Sequence, residues 1–293
     1  MKATTSGSTG PRVIPTRRIS FEESLKELPK HFANDGDIIS SHLMANLSGV
    51  FPDGEDFFVR SVRNFRGKVA DPELKRQVAG FIGQEAVHGR EHRMLNKRLH
   101  ELGYDTPQME RMTRWGLKGR EKIMSKTSNL AATAALEHFT ATFAEIVLSD
   151  ESARELMGEP EIRDVFVWHA LEESEHKAVA FDVYKAAGGS ERTRTATMNL
   201  ITFGFISGMT IGTLLSLVAD RDIYKKGNFR RSFRQFRKAP FLSKSVWRRL
   251  RDYNRADFHP DDHDTDELCE QWREELFGVN GRLNHMVNKK TAA

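Results

Sequence analysis

The sequence predicts an all-α protein: a four-helix bundle with extra N-terminal helices, followed by an apolar helix and a basic tail. Three observations carry this. Long segments repeat their apolar residues with the period of a helix and begin and end on residues that cap helices. Signals for β-hairpins are nearly absent. Four of the periodic segments follow one another, several of about thirty residues, which points to an antiparallel bundle.

The elements follow in chain order. Residues 1–18, "MKATTSGSTGPRVIPTRR", hold no apolar run; they contain no secretory signal and read as a flexible arm. The bundle is expected over 19–190. "SFEESLKEL" spaces Ser20 and Glu23 as a capping box ahead of an apolar run, so a helix is expected there. "DGDIISSHLMANLSGVF" reads as a helix ending around Pro52, and "DGEDFFVRSVRNFRGKV" as a new one starting after Asp53. "DPELKRQVAGFIGQEAVHGREHRMLNKRLHELG" has Asp71 as N-cap, Pro72 at the first helical position and Gly103 at the C-terminus. "SNLAATAALEHFTATFAEIVLS" is an alanine-rich helix, and "PEIRDVFVWHALEESEHKAVAFDVYKAAGG" another, opened by Pro160 and closed by Gly188-Gly189. An apolar helix is expected over 191–220, and a basic amphipathic segment with a C-terminal extension over 221–293.

Composition bounds the function. With 39% hydrophobic and 29% charged residues in 293, the chain can bury a sizeable core. Its net charge of +4 hides an asymmetry: residues 221–251 hold twelve Lys/Arg against one acid, Asp222. The basic surplus is therefore local, and no nucleic-acid reader fold accompanies it, so nucleic-acid binding is not expected. Cys269 is the only cysteine, which excludes an intrachain disulfide and argues against a cysteine-based metal site. Cytoplasmic residence is the expectation.

The chemistry-bearing residues cluster by spacing. In "QEAVHGREH", Glu85, His88 and His92 share one helix face within about 60°. In "WHALEESEHKAVAF", Glu173 and His176 repeat the Glu-x-x-His spacing, and His169 shares their face, whereas Glu172 and Glu175 point elsewhere and read as solvated or outer groups. Glu137 in "AALEHFTATF" and Glu55 in "PDGEDFFV" add one carboxylate each in an apolar setting. One Glu, one Glu-x-x-His, one Glu, one Glu-x-x-His on successive helices is the ligand pattern of carboxylate-bridged di-iron and di-manganese bundles. Two close cations need bridging anions to offset their repulsion, and a neutral imidazole each completes the set. The alternative origin is a solvated, salt-bridged helix face. His92 and His138 are expected as outer partners or surface groups.

On "FPDGEDFFVRSVRNFR", "FIGQEAVHGREH", "ALEHFTATFAE", "WHALEESEHKAVAFDVY" and "ADFHPDDHD", the sequence resembles the predicted metal-dependent hydrolases of the ferritin-like superfamily. The likeness covers all but about the first fifteen and last twenty residues. In ligand spacing alone it is also similar to the bacterial di-iron arylamine N-oxygenases, which add a histidine four residues before the last Glu-x-x-His. His169 holds that position. The resemblance thus implies Glu55, Glu85, His88, Glu137, His169, Glu173 and His176 as ligands of two metal ions, iron being expected and manganese or zinc the alternatives. It implies oxygen activation to oxidise a small or lipophilic organic molecule, with electrons from a separate reductase. The competing reading is a hydrolase using hydroxide formed on the metals against an ester or phosphoester. A further one is a non-catalytic, membrane-associated binding protein.

"ATMNLITFGFISGMTIGTLLSLVA", residues 196–219, has no charged residue, and Gly204, Gly208 and Gly212 recur every fourth position. Phe229, Phe233, Phe236, Phe241 and Trp247 are interleaved among the basic residues that follow. Two placements are open: a buried bundle helix, or a peripheral or monotopic contact with an anionic membrane through 196–251, the second being preferred. A homodimer is compatible with the pattern. In "FHPDDHDTDELCEQW" the acids are expected to face the basic segment rather than form a second metal site.

Overall fold

The computed structural model describes residues 13–287; among them there is no β-strand, only an antiparallel bridge between Ile19 and Val287. Four helical columns form the bundle: α1 (Ile38–Arg63), α2 (Pro72–Glu101), α4 (Lys126–Ser149) and the pair α6 (Pro160–His176) and α7 (Val179–Ala186). Outside them, α3 (Thr106–Ile123) packs on α1, and α8 (Glu191–Ala219) packs on α1 and α4. The short α5 (Glu151–Leu156), α9 (Asn228–Phe236), α10 (Lys244–Asp252) and α11 (Asp266–Phe277) cover the rest. The all-α bundle with its apolar helix is the architecture expected.

Capping sets the long helices. Asp71 accepts from the Glu73 and Leu74 amides with Pro72 in the first turn, and Gly103 takes a φ of +102° just beyond the other end of α2, as expected. Asp37 caps α1 through the Ile39 and Ser40 amides, and Ser125 caps α4 through that of Ser128.

Several expectations are corrected. The capping box in "SFEESLKEL" does not form: only one turn, Ser24–Glu27, is helical, with no side-chain cap. Phe21, Leu25 and Leu28 are instead buried in the core, and the Phe21 amide donates to Glu91 Oε2 at 2.8 Å. The arm is not free over its described part: Ile14 and Arg17 are buried, while residues 1–12 lie outside the described residues. Pro52 does not end a helix; α1 runs through it. Proline there removes the amide that would bond the Ser48 carbonyl, and Asn96 Nδ2 takes that carbonyl at 3.1 Å. The segment expected as one helix from Pro160 is interrupted at Lys177-Ala178. The Lys177 ammonium there turns to the His263 carbonyl and to Thr265 Oγ1.

Helix α3 was not expected at all. Its sequence, "TPQMERMTRWGLKGREKI", buries only Thr106, and its few apolar residues are outnumbered by seven charged ones. α8 is not a buried bundle helix, for 17% of its most apolar stretch is buried. Of the C-terminal acids, Asp262 pairs with Arg255, just beyond the 221–251 segment, at 2.5 Å, and Asp261 lies 3.9 Å from Lys177 of the bundle; His259 pairs with Asp182 at 2.9 Å and His263 with Asp252 at 3.2 Å.

A polar latch fastens the C-terminal end of α8 to the start of α1. His42 Nε2 lies 3.0 Å from Asp220 Oδ2 and its Nδ1 2.6 Å from Ser216 Oγ; Lys30 Nζ holds the other Asp220 oxygen at 2.8 Å, and His31 Nε2 meets Asp222 at 3.1 Å. The three groups His31, His42 and Asp220 lie within ligand range of one another, but the Lys30 ammonium already neutralises the carboxylate, so the cluster is an ion-pair network. Burial lowers the His42 pKa below 6.5, outweighing the pull of Asp220 in the opposite direction. The neutral ring therefore favours the folded state fully above 6.5, and this contribution is lost as pH falls from there through the folded pKa. Thermal melts across this acid range should fall less steeply for His42→Gln than for the unaltered protein, the difference not exceeding about 1.4 kcal/mol per pH unit. Equal slopes would count against the latch.

Candidate metal centre

The four columns bring all seven predicted ligands to one buried place. α1 contributes Glu55, α2 Glu85 and His88, α4 Glu137, and α6 His169, Glu173 and His176; each is at most 3% exposed. The i, i+3 and i, i+4 spacings put the paired groups on one face of α2 and of α6, as helical geometry requires. Glu173 lies at the centre. Its Oε1 is 2.9 Å from His169 Nε2, 3.5 Å from His88 Nδ1 and 3.5 Å from His176 Nε2. Glu85 Oε1 is 3.1 Å from His176 Nε2 and 4.0 Å from His88 Nδ1; Glu137 Oε2 is 3.4 Å from His176 Nε2, and Glu55 Oε1 3.7 Å from His169 Nε2. The groupings Glu55–Glu85–His88, Glu85–Glu137–His176 and His88–His169–Glu173 each place their ligand atoms within 4.8 Å of one another.

These proximities are not hydrogen bonds for the most part. Both oxygens of Glu55, Glu85 and Glu137 are buried without a hydrogen-bond partner, as are Glu173 Oε2, His88 Nδ1 and His176 Nε2. Even the 3.1 Å approach of His176 to Glu85 lacks the alignment of a bond. Orphaned buried carboxylates cost several kcal/mol each, and here they converge. Cations satisfy all of them at once, and four carboxylates offset the charge of two divalent ions. The residues therefore fit bound metal.

The electrostatics agree. Burial, followed by the charges of Glu173 and Glu85, pushes the Glu137 carboxyl up to about 8. Burial and then Glu85 raise Glu55 well above the carboxylate range, and burial raises Glu85. Against the penalty of its own burial, the imidazoles around Glu173, His176 first, hold that carboxylate well below it. The set cannot carry all its negative charge unaided, so protons and metal compete for it.

An outer layer aims the imidazoles. His88 Nε2–H donates to Glu172 Oε2 at 3.0 Å, leaving Nδ1 for the centre. His176 Nδ1–H donates to Gln84 Oε1 at 2.8 Å, leaving Nε2; Gln84 is held in turn by Glu175 Oε2 at 2.8 Å and the Pro15 carbonyl at 3.0 Å. For His169 the relay is longer. Its Nδ1–H donates to His92 Nε2 (2.7 Å), His92 Nδ1–H to Ser48 Oγ (2.9 Å), and the Ser48 hydroxyl to Asn96 Oδ1 (2.6 Å). Asn96 is oriented by the Ser48 carbonyl that Pro52 leaves free, so the proline inside α1 fixes which nitrogen of His169 faces Glu55 and Glu173. Phe51, Phe81 and Trp168 wall the imidazoles, with ring centroids 4.6 Å from His169, 5.0 Å from His176 and 5.0 Å from His88.

Two expectations at the site change. Of the two readings for Glu172 and Glu175, solvated or outer groups, only the second holds: both are buried, Glu172 against His88 and Glu175 against Gln84, and the Arg17 guanidinium spans them at 2.9 Å and 2.7 Å. His138 is not an outer partner of the metal centre. Its Nε2–H donates to the Arg249 carbonyl at 2.9 Å, its ring packs against Tyr253 and Phe258, and burial lowers its pKa to about 4. His92 sits where an outer partner was expected, against His169. Sequence reasoning missed Arg17, Ser48, Gln84 and Asn96. Of these, Gln84 beside Glu85 offered the one local cue, a polar residue next to a ligand in an otherwise apolar turn.

A family model described as predicted metal-dependent hydrolase matches residues 15–264. No curated protein and no solved structure matches. The matched span contains every one of the seven converging groups, from Glu55 to His176, and takes in Arg17 as well. By that match, the chain belongs to the family of predicted metal-dependent hydrolases.

Proposed function

We propose that the protein hydrolyses an ester or phosphoester at two metal ions held by Glu55, Glu85, His88, Glu137, His169, Glu173 and His176. One observation carries the metal pair: the orphaned, buried ligand atoms of four glutamates and two histidines converge from four helices. The family match favours hydrolysis as the reaction. When bound, such cations supply Lewis acidity and a water acidified toward neutral pH. The chain's own part is to hold His88, His169 and His176 in the tautomers that Glu172, His92 and Gln84 impose, and to shut out bulk water with Phe51, Phe81 and Trp168.

A second reading rests on the donor set itself. Four carboxylates and three imidazoles inside an aromatic wall also suit iron that activates O2 to oxidise a small organic molecule, with electrons from a separate reductase. Elemental analysis of protein reconstituted anaerobically with Fe(II), Mn(II) or Zn(II) comes first. Two cations per chain are expected, and a panel of nitrophenyl esters and phosphoesters should then be cleaved without O2 or reductant, at rates that follow metal loading. Transient visible absorption and O2 uptake by the Fe(II) form, with no ester turnover, would select the oxidative reading. Absence of stoichiometric metal would remove both.

A further inference from the structure

We propose that α8, α3 and the α9–α10 segment form a surface that binds an anionic lipid bilayer, with α8 lying along the bilayer rather than crossing it. The first observation is an apolar face with no cover. Leu200, Phe203, Ile211, Leu214, Leu215 and Val218 of α8 are each more than half exposed. They recur with helical spacing along about five turns, far more than scattered surface leucines would give.

The opposite face of α8 is fastened to the bundle. Asn46 of α1 bonds Thr213 at 3.3 Å, His42 bonds Ser216 at 2.6 Å, and the Phe139 ring of α4 packs tilted against Phe205 with centroids 5.4 Å apart. α1 and α4 also carry Glu55 and Glu137. A crossing α8 would drag these helices and their charged neighbours into hydrocarbon, at several kcal/mol per unpaired polar group. Lying in the interface keeps every one of these contacts.

The flanks name the partner. The basic segment runs back beside α8: Ile223 and Phe236 pack against the cluster of Ile38, Ile39 and Leu217 near one end, and Asn254 bonds Asn199 at 3.0 Å near the other. Of its twelve Lys/Arg, Lys225 and Arg249 have an ionic partner among the described residues, Asp222 and Glu145. The rest present unneutralised charge, with Phe229, Phe233 and Trp247 exposed among them. On the α1 side, α3 sets Met109 against Gly212 and leaves Met112, Trp115 and Ile123 exposed. An apolar ridge bordered by tryptophans and basic residues matches acyl chains under anionic headgroups. A second copy of the chain is disfavoured as occupant, because it would bring the same basic flanks close together. Gly204 and Gly208 nevertheless stand open, as such a copy would need, and that alternative enters the test.

The test is co-sedimentation of the full chain with vesicles of phosphatidylcholine alone or mixed equally with phosphatidylglycerol. Binding to the mixed vesicles should exceed that to the neutral ones at least tenfold and should fall with added salt. Changing Arg230, Arg234 and Arg237 together to serine should weaken it roughly a hundredfold, about fivefold for each charge removed. Phe203→Ser with Leu214→Ser should weaken it at least about tenfold even at low salt. Both variants should keep the metal content and melting temperature of the parent, which separates this surface from the catalytic reading. A blue shift of tryptophan emission on the mixed vesicles should vanish in Trp115→Phe with Trp247→Phe, since Trp168 and Trp272 are buried. No binding to mixed vesicles at low salt would overturn the proposal, as would binding unchanged in both variants. So would a stable dimer, without lipid binding, that the Phe203/Leu214 variant turns into monomer.

Discussion

Glu173→Gln is expected to lose stoichiometric metal and, with it, turnover, because one oxygen of Glu173 lies within 3.5 Å of all three histidine nitrogens aimed at the centre. Losing an outer partner of a metal ligand typically costs about 10–100-fold in affinity. A carboxylate placed between both halves of the site should cost more than that, roughly a hundredfold or beyond. Elemental analysis and metal titration measure it. Glu137→Gln supplies the control of opposite sign. Burial lifts the folded Glu137 pKa from 4.5 to about 8, so in metal-free protein this carboxyl opposes folding increasingly as pH rises between those values. The metal-free Glu137→Gln protein should therefore melt higher than the metal-free parent near neutral pH, while binding metal more weakly. If Glu137→Gln instead lowered the metal-free melting temperature, the cluster would be a structural ion-pair set and the metal assignment would fall.

Arg17→Ala is expected to be the most destabilising single change outside the ligands. Arg17 makes three bonds of 2.7–2.9 Å to two buried carboxylates, Glu172 and Glu175, and its guanidinium lies over the Phe277 ring at 4.8 Å. Removing it leaves two buried anions without their main partner, a loss of about 3–5 kcal/mol. In a chain of this size that lowers the melting temperature by roughly 10 °C. A second effect follows through Glu172, which holds the His88 Nε2 proton, and through Glu175, which holds Gln84 and hence His176. Metal affinity should fall about 10–100-fold. Arg17→Lys should recover part of the stability but less of the affinity, since an ammonium cannot fork across both carboxylates. A variant with parental melting and parental metal affinity would show that the N-terminal segment does not support the centre.

The seven-residue cluster was readable in the sequence because each part of it is a local pattern. Glu-x-x-His is a single helical turn, His169 lies one turn before Glu173, and Glu55 and Glu137 stand out against phenylalanine and alanine neighbours. The bundle was readable for the same reason, through caps such as Asp71 and periodic apolar faces. Helix α3 escaped because its few apolar residues stand among seven charged ones and most of it stays in contact with solvent, so it reads as a polar connection. Its position is set by contacts with α1, in which the side chain of Met109 fills the space beside Gly49.

What sequence by itself determined, then, is the all-α class, the long helices and the identity of the groups that could hold metal, since all of these depend on interactions within a few residues. Tertiary structure decided what depends on distant partners. It turned the expected capping box at Ser20 into buried core and drew Arg17 out of a supposed arm onto Glu172 and Glu175. It let α1 continue through Pro52 by giving the freed Ser48 carbonyl to Asn96. It also chose which histidine nitrogens face the centre. A buried polar atom must find its partner wherever the fold places one, and that partner is as often across the bundle as along the helix.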